Sequence, residues 1–175
     1  MSNNHGELTK DILVSKLDER LLGWEFGDIE RASLIGEAKL AGFILGACFI
    51  DAMAGFYAGL TKDQVRRGSP DRFMNFVEKY LSQYDPEKLY NDLRCGLVHS
   101  YAEGGTYVFT DANKCGKHFS VTSSGKVLLN LEDFAHDLEE AYKKFRNDML
   151  TDNEVFDRAK RRYLSMGLMD LVSIN

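Results

Sequence analysis

Residues 40–60 read LAGFILGACFIDAMAGFYAGL. This is the most apolar stretch of the chain, and its reading decides the fold. A helix across it is apolar on every side. Such a helix either spans a membrane, which takes about 20 apolar residues, or fills the middle of a bundle. Lys62, Arg66 and Arg67 just beyond it suit a membrane flank. Asp51 at its centre does not, because an acid there costs about 2.5–3.5 kcal/mol on insertion scales. The flanking segments are amphipathic and need a central partner. The stretch is therefore read as a buried central helix, with a small membrane-anchored protein as the remaining alternative. Gly42, Gly46, Gly55 and Gly59 let neighbouring helices approach closely, although glycine costs helix stability. Their GxxxG spacing also fits a membrane dimer. A buried Asp51 needs a partner, and Arg94 is the candidate.

Working outward, apolar residues at three- and four-residue steps predict an amphipathic helix over 7–22. Gly23–Gly27 (GWEFG) is read as its break, with Trp24 and Phe26 locking the corner. Asp28 caps the long helix, which runs to about Leu60. Thr61 and Gln64 make a capping box. Ser69-Pro70 starts a third helix with Phe73, Phe76, Val77, Tyr80 and Leu81 inward. Asp85-Pro86 starts a fourth, with Leu89, Leu93 and Leu97 at four-residue steps; it carries Arg94 and reaches His99. The period then changes. TYVFT (106–110), HFSVT (118–122) and 126–129 alternate as strands and predict an antiparallel meander, an insertion over 104–129. Asn130 caps the next helix, Thr151 and Glu154 box the last, and Gly167 stops it. The fold class expected is mostly α, a five- or six-helix bundle with a small antiparallel β-meander inserted between helices. Residues 1–175 form one domain.

At 175 residues the chain can bury a real core. Its net charge of −5 is not that of a protein coating nucleic acid, so any such contact rests on a local patch. The polar opening MSNNHGELTK and three cysteines without a repeated spacing give an expectation of reduced thiols in a cytoplasmic protein.

The chemistry centres on NDLRCGLVHSY, residues 91–101. Arg94 and His99 stand five residues apart with small and apolar residues between them. Histidine moves protons near neutrality, and arginine matches phosphate geometry. Together they can activate a hydroxyl and stabilise a pentacoordinate phosphate with no cofactor. On an ideal helix the pair diverges by about 140°. It converges if the helix unwinds near His99, which Gly96 favours, or if two copies meet across a symmetry axis. The structural alternative pairs Arg94 with Asp51 or Glu87 and leaves His99 at a helix C-terminus. A second constellation, Cys95, His99, Cys115 and His118, has the donor types of a zinc site, but its spacing matches no zinc-finger pattern. It also excludes a free base at His99, so no metal is expected. Arg66, Arg67 and Arg72 are candidate phosphate contacts. With Arg158, Lys160, Arg161 and Arg162 they are the local positive runs, each otherwise a solvated helix face.

LRCGLVHSY late in a helix of a helical bundle resembles the HEPN superfamily, whose signature is Arg, four to six residues, then His. The resemblance spans roughly residues 28–150, by architecture more than by residue identity. It implies a homodimer in which Arg94 and His99 of both copies line one cleft. It implies a metal-independent endoribonuclease of toxin–antitoxin or phage-defence type, with an RNA substrate and an antitoxin-type protein partner. His99 would serve the ribose 2′-hydroxyl and Arg94 the phosphorane. Asp51 and Cys95 would support them. Cys95 stands where active members carry Asn or Asp. The alternative the resemblance offers is a non-catalytic member binding a ligand or partner through the same cleft.

Overall fold

The computed structural model of the chain describes residues 8–32, 38–61, 63–64, 69–98, 105–110 and 116–166. The side chain of Trp24 lies outside this set. In chain order the elements are α1 (Lys10–Leu17), a π-helical segment π1 (Asp18–Phe26) and α2 (Gly27–Glu30). Then come α3 (Lys39–Ala58), α4 (Ser69–Tyr80), α5 (Pro86–Leu89) and a second π-helical segment π2 (Tyr90–Leu97). Strands β1 (Tyr107–Thr110) and β2 (Val127–Asn130) precede α6 (Leu131–Thr151) and α7 (Asn153–Met166).

Helix α3 is the axis. Phe43, Ala47, Phe49, Ile50, Met53, Ala54 and Phe56 are all buried, and π1, α2, α4, π2, α6 and α7 all pack on it. Among the described residues it is the one helix long and apolar enough to cross a membrane, and 56% of its most apolar window lies inside the protein. Its apolar sides are thus spent on neighbouring helices, as a central bundle helix requires. The glycines set how closely those neighbours come. A Cβ at Gly46 would stand 2.5 Å from Phe134 of α6, and one at Gly42 would stand 3.0 Å from Leu131. About two and a half turns beyond Gly46, Gly55 and then Gly59 do the same for α7.

Two expectations about the first helices are corrected. GWEFG does not break the chain's first helix, which passes through it as π1 and ends in α2. The buried residues explain why. Leu13, Leu17 and Leu21 step by four, and the next buried side chain among the described residues, Phe26, is five further on. The wider i→i+5 winding of a π-helix keeps Phe26 on the core face, where it meets Phe49 edge to face at 6.1 Å. Asp28 therefore lies inside this first run and pairs with Arg31 at 2.6 Å, whereas the long helix starts at Lys39.

Other stop and start signals act locally as read. Gln64 Oε1 accepts from the Thr61 N–H at 3.1 Å. Asp85 and Asn130 each accept from the backbone N–H three residues on, as N-caps do. The capping box expected of Thr151 and Glu154 is not the one used: between α6 and α7 the cap is Asp152, which accepts from the N–H groups of Glu154 and Val155. Thr151 belongs to α6 and donates to Asn147 O.

The antiparallel meander does not form. β1 and β2 are parallel, with Tyr107 opposite Val127 and Thr110 opposite Asn130. A parallel pair needs a connection of about a dozen residues or more, and the sequence between the two strands is long enough for one. HFSVT is not a strand. His118 and Phe119 form a turn, with Phe119 at φ 63°, and the segment meets β2 as a single antiparallel bridge, Val121 to Val127, flanked by backbone hydrogen bonds from Phe119 N–H to Leu128 O, Leu128 N–H to Ser120 O and Thr122 N–H to Lys126 O. Its alternation was misleading because Val121 is 67% exposed, while His118 and Phe119 both turn in against Tyr84.

Candidate functional site

Asp51, in the middle of α3, is the hub of the site. Its Oδ2 accepts from Arg94 Nε at 2.7 Å and its Oδ1 from Arg72 Nη2 at 3.1 Å. Arg94 arrives from π2 and Arg72 from α4. Side-chain exposure is 18% for Asp51, 22% for Arg94 and 9% for Arg72, so the carboxylate is largely but not wholly shielded. Burial pulls the Arg94 pKa down, but the hydrogen bond and charge of Asp51 outweigh it and raise it overall. Asp51 thus has the partner the sequence required, and a second besides.

A third arginine completes the group. Arg162 of α7 donates from Nη1 to Leu60 O at 3.0 Å. Its guanidinium lies on Gly55, where a Cβ would stand 3.0 Å from Nη2. Gly55 is one helical turn from Asp51, on the same side of α3. Burial lowers the Arg162 pKa, Arg72 adds to the lowering, and Asp51 opposes both. The basic run 158–162 is therefore not one solvated face. Arg158 donates to Tyr57 O at 2.8 Å and covers its ring, Lys160 sits over Phe156, and Arg161 is exposed.

His99, Arg66, Arg67 and Cys115 lie outside the described residues. Cys95 is a half-buried free thiol. Among the described residues no group of three or more His, Cys, Asp or Glu side chains is arranged to hold a metal. Of the zinc set, His118 has other partners. The Asn130 N–H donates to its Nδ1 at 3.0 Å, which leaves the ring proton on Nε2. Nε2 lies 3.1 Å from Tyr84 Oη and 3.5 Å from Asp137 Oδ2, and Tyr84 donates to Asp137 at 2.7 Å. This network fastens the 116–126 segment to α6.

The same network predicts a pH effect. Burial pushes Asp137 up, but hydrogen bonds from His118, Tyr84 and Gln83 outweigh it and hold its carboxyl below the usual range. A depressed carboxyl contributes stability that is present above the unfolded value of about 3.9 and is lost as pH falls through the lower folded pKa. Asp137→Asn should therefore cost about 1.5–3 kcal/mol near pH 6, the range for hydrogen bonds to a charged group. The gap to wild type should close below about pH 4. Thermal melts across pH 2–7 check this; a constant gap would contradict it.

Asp92 was not foreseen. It is 6% exposed, and its carboxylate accepts from the N–H groups of Gly105, Thr106 and Tyr107 at 3.1, 2.7 and 2.9 Å. It ties the start of β1 to the helical turn that carries Arg94. The available signal was an acid between apolar helix positions, followed by a Gly-Gly turn. Arg162 was foreseen only as a surface charge.

Comparison of the chain with protein-family models, with curated proteins and with solved structures found no match.

Proposed function

We propose that the chain is a HEPN-like RNA-processing or defence-type protein, acting as a homodimer on RNA through Arg94 and His99. The observation that carries this reading is Arg94 itself. Its guanidinium is anchored through Nε by a central carboxylate while the side chain keeps 22% of its surface. That is how a phosphate-stabilising arginine is best held, charged and in one orientation. In this reading His99 takes the ribose 2′-hydroxyl proton and Arg94 stabilises the phosphorane, leaving a 2′,3′-cyclic phosphate and a 5′-hydroxyl.

Purified protein should cleave RNA in EDTA between pH 5 and 8. His99→Ala should abolish cleavage while the circular dichroism and melting temperature stay unchanged. Intact RNA at micromolar protein would remove the catalytic part. The second reading, a non-catalytic member binding RNA or a protein partner through the same cleft, is favoured by Cys95 beside Arg94. RNA retained without cleavage would select it.

A further inference from the structure

Three guanidiniums from three separate elements meet on one side of α3. Arg94 and Arg72 hold Asp51, and Arg162 lies one turn away on Gly55. One carboxylate faces three arginines among these four side chains. Gly55 is part of the construction, because without a Cβ it lets the Arg162 guanidinium lie flat on the helix beside the Asp51 cluster. The fit is made by the backbone and not by a chance surface rotamer.

We infer that Arg162, seated on Gly55 next to the Asp51–Arg72–Arg94 cluster, forms a phosphate subsite distinct from the Arg94–His99 pair. The group it takes is a phosphate monoester or diester, from the RNA backbone or from a free nucleotide or inorganic phosphate. Three observations support it. Three guanidiniums, from α4, π2 and α7, gather at one side of α3. Arg162 is itself only partly buried and Arg94 keeps 22% of its side-chain surface, so an anion can approach. Burial and the neighbouring charge of Arg72 both work against the Arg162 charge, and an anion would relieve both. The guanidinium fork matches a phosphate in two-point contact. Within the proposed function the subsite would grip a phosphate flanking the reacting one. It does not require that the chain cleave RNA.

The test uses full-length protein and 2′-O-methyl RNA, which has no 2′-hydroxyl to react, so binding is read without cleavage. Wild type is expected to bind with a salt-dependent affinity. Arg162→Gln should weaken binding on the order of tenfold and lower the slope of log K against log salt by about 0.7, one lost phosphate on a single strand. Arg162→Lys, which keeps the charge, should recover most of the slope. Gly55→Ala, which displaces the guanidinium, should behave like Arg162→Gln. Inorganic phosphate should raise the melting temperature of wild type above that in chloride of equal ionic strength, and this needs no variant to fold. Phosphate stabilisation without RNA binding would assign the subsite to a free phosphate compound. Unchanged affinity and slope in folded Arg162→Gln would overturn the inference, as would wild type showing neither RNA binding nor phosphate stabilisation. Ordinary RNA left intact while these effects hold would sink only the nuclease reading.

Discussion

Asp51→Ala is expected to lower the unfolding free energy by about 2–4 kcal/mol. Removing one partner of a buried ion pair costs about 3–5 kcal/mol, because the charge left behind is uncompensated. Here two guanidiniums lose the same carboxylate, and the residual exposure of Arg94 returns part of the cost through water. The urea midpoint should fall with little change in slope. A rescue experiment separates charge from cavity. Asp51→Leu combined with Arg72→Met should be less destabilised than Asp51→Leu alone, since an apolar replacement of both partners is often tolerated. A loss below about 1 kcal/mol for Asp51→Ala would show that both arginines reach bulk solvent without the carboxylate.

Gly59→Ala is the second large effect, at about 2–4 kcal/mol. Gly59 ends α3 in the left-handed region, φ 67°, with its N–H on Gly55 O at 3.0 Å. The αL conformation costs a non-glycine residue about 1–2 kcal/mol. The Cβ would also stand 2.8 Å from Arg158 Cβ and 2.9 Å from its Cα and O. These are main-chain-fixed atoms that no rotamer change can move, and overpacking of this kind costs about 1–3 kcal/mol. Gly125→Ala is the internal control. It has φ 78° with nothing within 4 Å of the added carbon, so it should show the backbone cost alone. Equal losses at the two sites would mean that α7 can back away from α3 freely.

The sequence made legible whatever depends on short range and composition. The all-round apolarity of residues 40–60 identified the axis. Asp85 and Asn130 identified two helix starts, and the need of a buried Asp51 for a cation led to Arg94. Three things were not legible. The π-helical windings escape a search for a 3.6-residue period, because their sign is a single five-residue step, Leu21 to Phe26. The sheet's direction was not legible because parallel and antiparallel strands share the same two-residue alternation. The placement of Arg162 depends on α7 folding across a glycine more than 100 residues earlier, and nothing local to the 158–162 run reports it.

Asp92 gives the site a property beyond its contents. The carboxylate that receives three N–H groups from residues 105–107 sits two positions before Arg94, on the same turn. The guanidinium is therefore positioned from two directions, by the core through Asp51 and by the sheet through Asp92. Whatever docks on β1 or pulls at it loads the arginine's own turn through Asp92, and loads α3 as well through the ring contact of Phe109 with Phe43. In mechanical terms the small sheet is a handle, and Arg94 is what it holds.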